Sequence, residues 1–199
     1  NEVIVPVDGD DRLMHADVLA HIAEAYADEC CWLTYGSYVN ERGERGRECS
    51  AYPAGVVSNG AFRDHAWHAT HLKTFRYGLW RHVPTSSLRA TSEERHRVCT
   101  RALLRGRLRA WHQWRKLRRA DLHDPSGRCF RRCYDKAILY PMLELAGRHS
   151  VFIPEVLYRY QSCNPIASGR PRSSEAKWGT RCIQQILRTK PRLSPLELV

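Results

Sequence analysis

No stretch of the chain is apolar for about 18 residues, and the mean hydropathy is −0.54, so no membrane-spanning helix is expected. Nothing recurs at a period of about 20–50 residues, which excludes solenoid and propeller arrays. Lysine is scarce. The 8 cysteines in 199 residues are too few for a disulfide scaffold of this size. No charged n-region or apolar h-region marks a signal peptide. What is present is ordinary globular material. A hydrophobic content of 43% with 10% aromatics excludes a disordered chain. The length suits one domain or slightly more. Asn1 precedes an apolar segment that begins at Val3, and we expect further sequence upstream of it.

The net charge of +11 is unevenly spread. Residues 89–132 hold 14 Lys/Arg against 4 Asp/Glu, which is +10 and leaves +1 for the remaining 155 residues. A near-neutral domain with one basic segment is a different object from a uniformly basic nucleic-acid binder. Reduced cysteines in a cytosolic setting are the default expectation, with a secretory lumen or organelle as the alternative.

Val3, Ile4, Val5 and Val7 predict a buried strand over Glu2–Val7, ended by Asp8-Gly9-Asp10-Asp11. Asp17 is placed to cap a helix to about Ala27, with Val18, Leu19, Ile22, Ala23 and Tyr26 on one face. Trp32–Val39 alternates as a second strand. Tyr52–Asn59 reads as loop or edge strand around Pro53. Ala66–Trp80 reads as helical in its second half, with Leu72, Phe75, Leu79 and Trp80 as a buried stripe. Residues 92–120 predict one long amphipathic helix, with Leu104, Leu108, Trp111, Trp114 and Leu117 aligned. Asp135–Gly147 predicts a helix started or kinked at Pro141. Val151–Ile153 and Glu155–Tyr160 predict two short strands around Pro154. Ser168–Arg172 reads as loop, and Lys177–Leu187 as a short amphipathic helix. Together these elements imply a mixed α/β domain.

The acidic turn carries the sharpest chemistry. An apolar strand delivers three carboxylates within four residues to its C-terminal edge, where open α/β sheets bind ligands. Carboxylate oxygens are hard ligands suited to Mg²⁺ or Mn²⁺. A solvated turn after a strand is the plain alternative. Val5-Pro6-Val7-Asp8-Gly9-Asp10-Asp11-Arg12-Leu13 resembles the strand and Asp-x-Asp motif of GT-A-fold glycosyltransferases, in the style of glycosyltransferase family 2. In the order of that family, four further segments resemble it: Trp32–Tyr38, His71–Trp80, Asp135–Gly147, and Phe152–Tyr160 followed by Asn164-Pro165. The resemblance covers roughly residues 2–84 and 133–165.

The resemblance implies a GT-A-like mixed sheet flanked by helices over 1–165, interrupted by an Arg-rich helical insertion at 85–132, with 166–199 as a tail. It implies metal-dependent, inverting transfer from a nucleotide-sugar, of which a UDP-sugar is the first expectation, to an acceptor hydroxyl. Asp8, Asp10 and Asp11 would hold Mn²⁺ or Mg²⁺ on the donor diphosphate. Asp135 would be the general base, kept ionised by the helix dipole, although an ordinary N-cap is chemically equivalent. His71, Lys73, Arg76 and Trp80 would face substrate, His71 also as an extra metal ligand.

Two departures from the family stand out. Its nucleotide-gripping half precedes the Asp-x-Asp strand, whereas here only a few residues do. Residues 85–132 are unlike it. A second reading is therefore a GT-A-like subunit without catalysis that contacts RNA or a larger assembly through Arg105, Arg109, Arg115 and Arg118, whose guanidinium forks suit phosphates. An amphipathic helix with solvated arginines is the bland equivalent. His65, His68 and His71, spaced by three, fit a shared helical face and a metal cluster, with coincidental spacing as the plain alternative because no carboxylate or cysteine completes the set nearby. Cys129 and Cys133 lack a second close pair for zinc.

Overall fold

Leu33–Asn40 (β3) is the strand around which the first of two units is built, and both of its faces are largely buried. The computed structural model describes residues 2–161 and 173–197. Cys163, Asn164-Pro165 and the expected loop at 168–172 lie outside the described residues. The chain is a mixed α/β protein with a five-stranded sheet and, among the described residues, eight helices. It divides into a first unit of residues 1–83, 142–167 and 192–199 and a second of 84–141 and 168–191. The expected insertion at 85–132 falls inside the second unit, which also takes most of the expected tail.

In the first unit, Val3–Ile4 (β1), Arg12–Leu13 (β2), Thr74–Arg76 (β4) and Ser150–Tyr160 (β5) complete the sheet in the order β1-β4-β3-β5-β2. The β3–β5 pair is parallel and the other three are antiparallel. β1 and β2 therefore occupy opposite edges, joined only by residues 5–11. Four strand spacings of about 4.8 Å separate those edges in a flat sheet. Eight residue steps of about 3.4 Å reach about 27 Å, against about 19 Å for the four spacings, which leaves slack for a turn. That slack is taken up by the turn at Asp8–Asp11, and the sheet is curled. The acidic turn lies on this connector between the two edge strands.

The expected strand over Glu2–Val7 is shorter than predicted. Only Val3 and Ile4 pair, they are half-buried at an edge, and Val7 is 43% exposed. Pro6 has no N–H to extend a ladder. The two strands expected around Pro154 are one strand, β5. Its register against β3 jumps from Gly36↔Ile153 to Ser37↔Val156, so Pro154 sits in a bulge, where its missing donor is tolerated.

Helix α1 (Val18–Ala27) buries Val18, Ile22 and Tyr26 at a four-residue repeat, while Leu19 stays exposed. These side chains join Cys31, Leu72, Leu157 and Tyr158 in one cluster. Asp17 stands at the helix start without a side-chain cap bond. Tyr52–Asn59 is not an edge strand: Pro53 leads into a short helix, α2 (Ala54–Ser58). Ala66–Trp80 holds β4 and only a four-residue helix, α3 (Tyr77–Trp80). Leu72, Phe75 and Leu79 are buried as expected, but from coil, strand and helix in turn.

In the second unit the expected long helix is three: α4 (Ser92–Leu104), α5 (Leu108–Lys116) and α6 (Arg119–Leu122). Gly106 breaks it with φ +67°, a left-handed conformation that glycine adopts without steric cost. Leu104 and Leu108 consequently face solvent, at 81% and 60% exposure, while Trp114 and Leu117 are buried. Thr91 and Glu94 form a reciprocal capping box at the start of α4. The division between units falls within α7 (Tyr134–Ala146), at Pro141. The helix expected at Lys177–Leu187 is longer, α8 (Ser174–Thr189), with the Ser173 hydroxyl accepting from Ala176 N–H at 3.1 Å. It packs on α4, α5 and α6. No helix among the described residues is long and apolar enough to cross a membrane.

Candidate metal centre

Asp8 to Asp11 forms a turn in which Asp11 N–H donates to the Asp8 carbonyl at 3.0 Å. Tyr158, buried on β5, locks it. Its hydroxyl accepts from Asp8 N–H at 3.1 Å and donates to Asp11 Oδ2 at 2.7 Å. Gln161 N–H donates to Asp11 Oδ1, also at 2.7 Å. Burial, with the two carboxylates nearby, pushes the Tyr158 phenol well above its ordinary range, so the hydroxyl keeps its proton and remains a donor.

His71 comes from the segment that precedes β4. Residues 70–72 run close beside Gly36: Gly36 N–H donates to Thr70 O at 3.2 Å, and Thr70 Oγ1 donates to Gly36 O at 2.6 Å. A Cβ on Gly36 would meet Ile153 O at 3.3 Å and Leu72 N at 3.4 Å, so the two backbones pass closely at this glycine. The imidazole stacks on Tyr158 at 4.6 Å and 9°, and on Tyr160 at 5.6 Å and 16°, with the Tyr38 ring edge-on. Burial, then the charge of Lys73, pushes His71 down to about 3, so it is neutral at ordinary pH.

One ligand atom from each of Asp8, Asp11 and His71 lies within 4.8 Å of the others. Donors of a single octahedral ion with bonds near 2.1 Å lie about 3–4 Å apart, so small side-chain rotations close the set. Two carboxylate oxygens and a neutral imidazole nitrogen fit Mn²⁺, and the imidazole favours it over Mg²⁺.

The other expected site residues are placed differently. Asp10, in the same turn, is exposed and outside this group. Lys73 is half-buried and acts electrostatically on His71. The Arg76 guanidinium is spent on main-chain carbonyls at the end of α1, donating to Cys31 O at 2.8 Å, Tyr26 O at 3.1 Å and Asp28 O at 3.2 Å. Trp80 is half-buried, its ring 6.4 Å from Phe75. Asp135 belongs to the second unit, in the first turn of α7. So do Arg105, exposed at the end of α4, Arg109 and Arg115, which lie over the Trp178 and Trp111 rings, and Arg118, 3.9 Å from Asp121.

The three histidines do not share a helical face. The rings of His65 and His68 are 5.1 Å apart beside Tyr52, and His68 meets Ser50 Oγ at 2.7 Å, whereas His71 belongs to the aromatic wall. Among the described residues no third ligand joins Cys129 and Cys133. Tyr158, Tyr38 and Tyr160 were not singled out by sequence reasoning. The signal for two of them was present in the i, i+2 spacing of Tyr158 and Tyr160 along one strand face.

Comparison of the chain with protein-family models, with curated protein sequences and with solved structures finds no match.

Proposed function

We propose that this chain is a divalent-metal-dependent glycosyltransferase of GT-A-like design, which moves a sugar from a nucleotide-sugar to an acceptor hydroxyl. The observation that carries the reading is the meeting of Asp8 and Asp11, from the acidic turn, with His71, from the segment that resembles the family's acceptor side. Asp8, Asp11 and His71 would hold Mn²⁺ or Mg²⁺, which when bound neutralises charge on the departing nucleoside diphosphate. Tyr158 keeps the Asp11 carboxylate oriented through its 2.7 Å hydrogen bond. Lys73 adds a positive charge that acts on His71. In the inverting step the acceptor oxygen attacks the anomeric carbon, the bond to the diphosphate oxygen breaks, and a general base takes the acceptor proton.

The test is calorimetric titration of the chain with UDP, in Mn²⁺ and again in EDTA. Micromolar binding that EDTA abolishes is expected. Binding that is indifferent to EDTA overturns the metal reading. No binding of UDP, or of other nucleoside diphosphates in Mn²⁺, overturns the donor reading.

A further inference from the structure

The second unit carries a groove of about 550 Å³ lined by α5, the residues just before it, and α8. Helical spacing gives it its character. On α8, Trp178, Arg181 and Arg188 share the groove-lining face. Gly179, Cys182, Ile183 and Ile186 form the buried stripe of the same helix. Arg107 and Arg109 line the groove from the start of α5. The lining thus contains four arginines and no acidic residue. None of the four makes an ion pair among the described residues. Like charges gathered without a counter-charge repel one another, and a bound anion relieves that repulsion.

Trp114 supplies a second, independent observation. It lines the same groove, is 5% exposed, and its buried Nε1–H has no acceptor among the described residues. A buried donor without an acceptor is unfavourable, so a small shift of the indole that brings the N–H to an oxygen bound in the groove would be favoured. The third observation separates an anion in general from one that carries rings. Arg109 and Arg181 lie over the Trp178 ring, at 5.9 and 5.0 Å from its centre. Planar guanidinium and indole groups in one place stack nucleobases, while guanidinium forks take phosphate oxygens.

We infer that this groove binds single-stranded nucleic acid, with phosphates on Arg107, Arg109, Arg181 and Arg188 and a base against the Trp178 platform. An acidic protein segment offers carboxylates but few rings, so it is the less favoured occupant and the natural control. The inference does not depend on the metal centre, and chelation separates the two.

The experiment is fluorescence anisotropy of the full chain with a labelled oligouridine of ten nucleotides in EDTA, titrated over a range of salt. Binding is expected, with affinity falling as about the third power of salt concentration for four neutralised phosphates. Reversing Arg109 and Arg181 together to Glu should weaken it at least about tenfold and flatten the salt slope by one to two powers. Trp178→Ala should weaken it about tenfold or more and leave the slope unchanged. Should that variant melt early, Arg188→Glu, at an exposed position, replaces it and should flatten the slope by nearly one power. No binding of the oligonucleotide overturns the inference, as does wild-type affinity in folded variants. Equal affinity for oligoglutamate of the same length overturns it in favour of an acidic protein partner. Equal affinity for uridine monophosphate overturns it in favour of a free-nucleotide pocket.

Discussion

Tyr158 Oη stands between two neighbours of the acidic turn, accepting from Asp8 N–H and donating to Asp11 Oδ2. That one hydroxyl makes the carboxylates of the turn inequivalent: Asp11 is held beside His71, and Asp10 is left outside the group. Asp11→Asn should therefore weaken Mn²⁺ binding by more than tenfold, while Asp10→Asn should leave it within about threefold. Tyr158→Phe should fall between them, at roughly 10-fold, as expected when the group that orients a ligand is lost. Mn²⁺ electron paramagnetic resonance titration distinguishes the three. Equal losses in Asp10→Asn and Asp11→Asn would return the site to a loosely acidic turn. The sequence shows three carboxylates within four residues and cannot rank them, because the ranking is made by a phenol on β5 and an imidazole beside β3.

At the scale of elements, periodicity was readable where an element packs on one neighbour. The repeat of Val18, Ile22 and Tyr26 and the stripe of α8 both follow this rule. It misled where a backbone conformation intervened: Gly106 at φ +67° ended a helix whose apolar pattern continued through Leu108. It was silent on Arg63 and Glu144, which pair in the interior of the first unit at 1% and 0% exposure. Their contact is bidentate, Nε to Oε1 at 2.5 Å and Nη2 to Oε2 at 2.8 Å, and Glu144 also accepts from Leu193 N–H at 3.2 Å. Removing either charge strands the other without water. Glu144→Gln and Arg63→Met should each cost about 3–5 kcal/mol in denaturant unfolding, and the double variant Arg63→Met/Glu144→Leu should cost less than the two combined. Additive losses would show that the pair is not coupled.

For the whole molecule, each unit encloses a buried thiol. Cys31 in the first is 2% exposed, and Cys182 in the second is fully buried. Burial is the main cause in both: it pushes Cys31 up to about 11, with Arg76 opposing and Asp28 assisting, and Cys182 up to about 12, with Cys99 assisting and Arg95 opposing. The unfolded thiols ionise near 9. Above that pH the unfolded chain has lost protons that the folded chain retains, so stability falls as pH rises. The two thiols should leave stability level below about pH 8.5 and lower it by up to about 1.4 kcal/mol per unit and per thiol towards pH 11. Chemical unfolding of Cys31→Ala and Cys182→Ala beside the wild type checks this: each substitution should shallow the alkaline slope. An unchanged slope would assign the loss to other groups, such as half-buried Tyr38, whose phenol burial pushes up to about 12.

Local chemistry alone settled several features. An acidic turn follows an apolar segment, ten units of positive charge are concentrated in 89–132, and several helices have one apolar side. These are legible because turns, charge density and helical repeats depend on neighbours within a few positions. Folding in three dimensions settled the rest. It placed β1 and β2 on opposite edges with the acidic turn in the segment that joins them. It brought His71 past Gly36 to Asp8 and Asp11, and set α8 beside α5 to gather arginines that lie far apart in the chain. Such meetings are fixed by strand order, register and the close approach of backbones. Those are properties of pairs of segments distant in sequence, and no single segment encodes them.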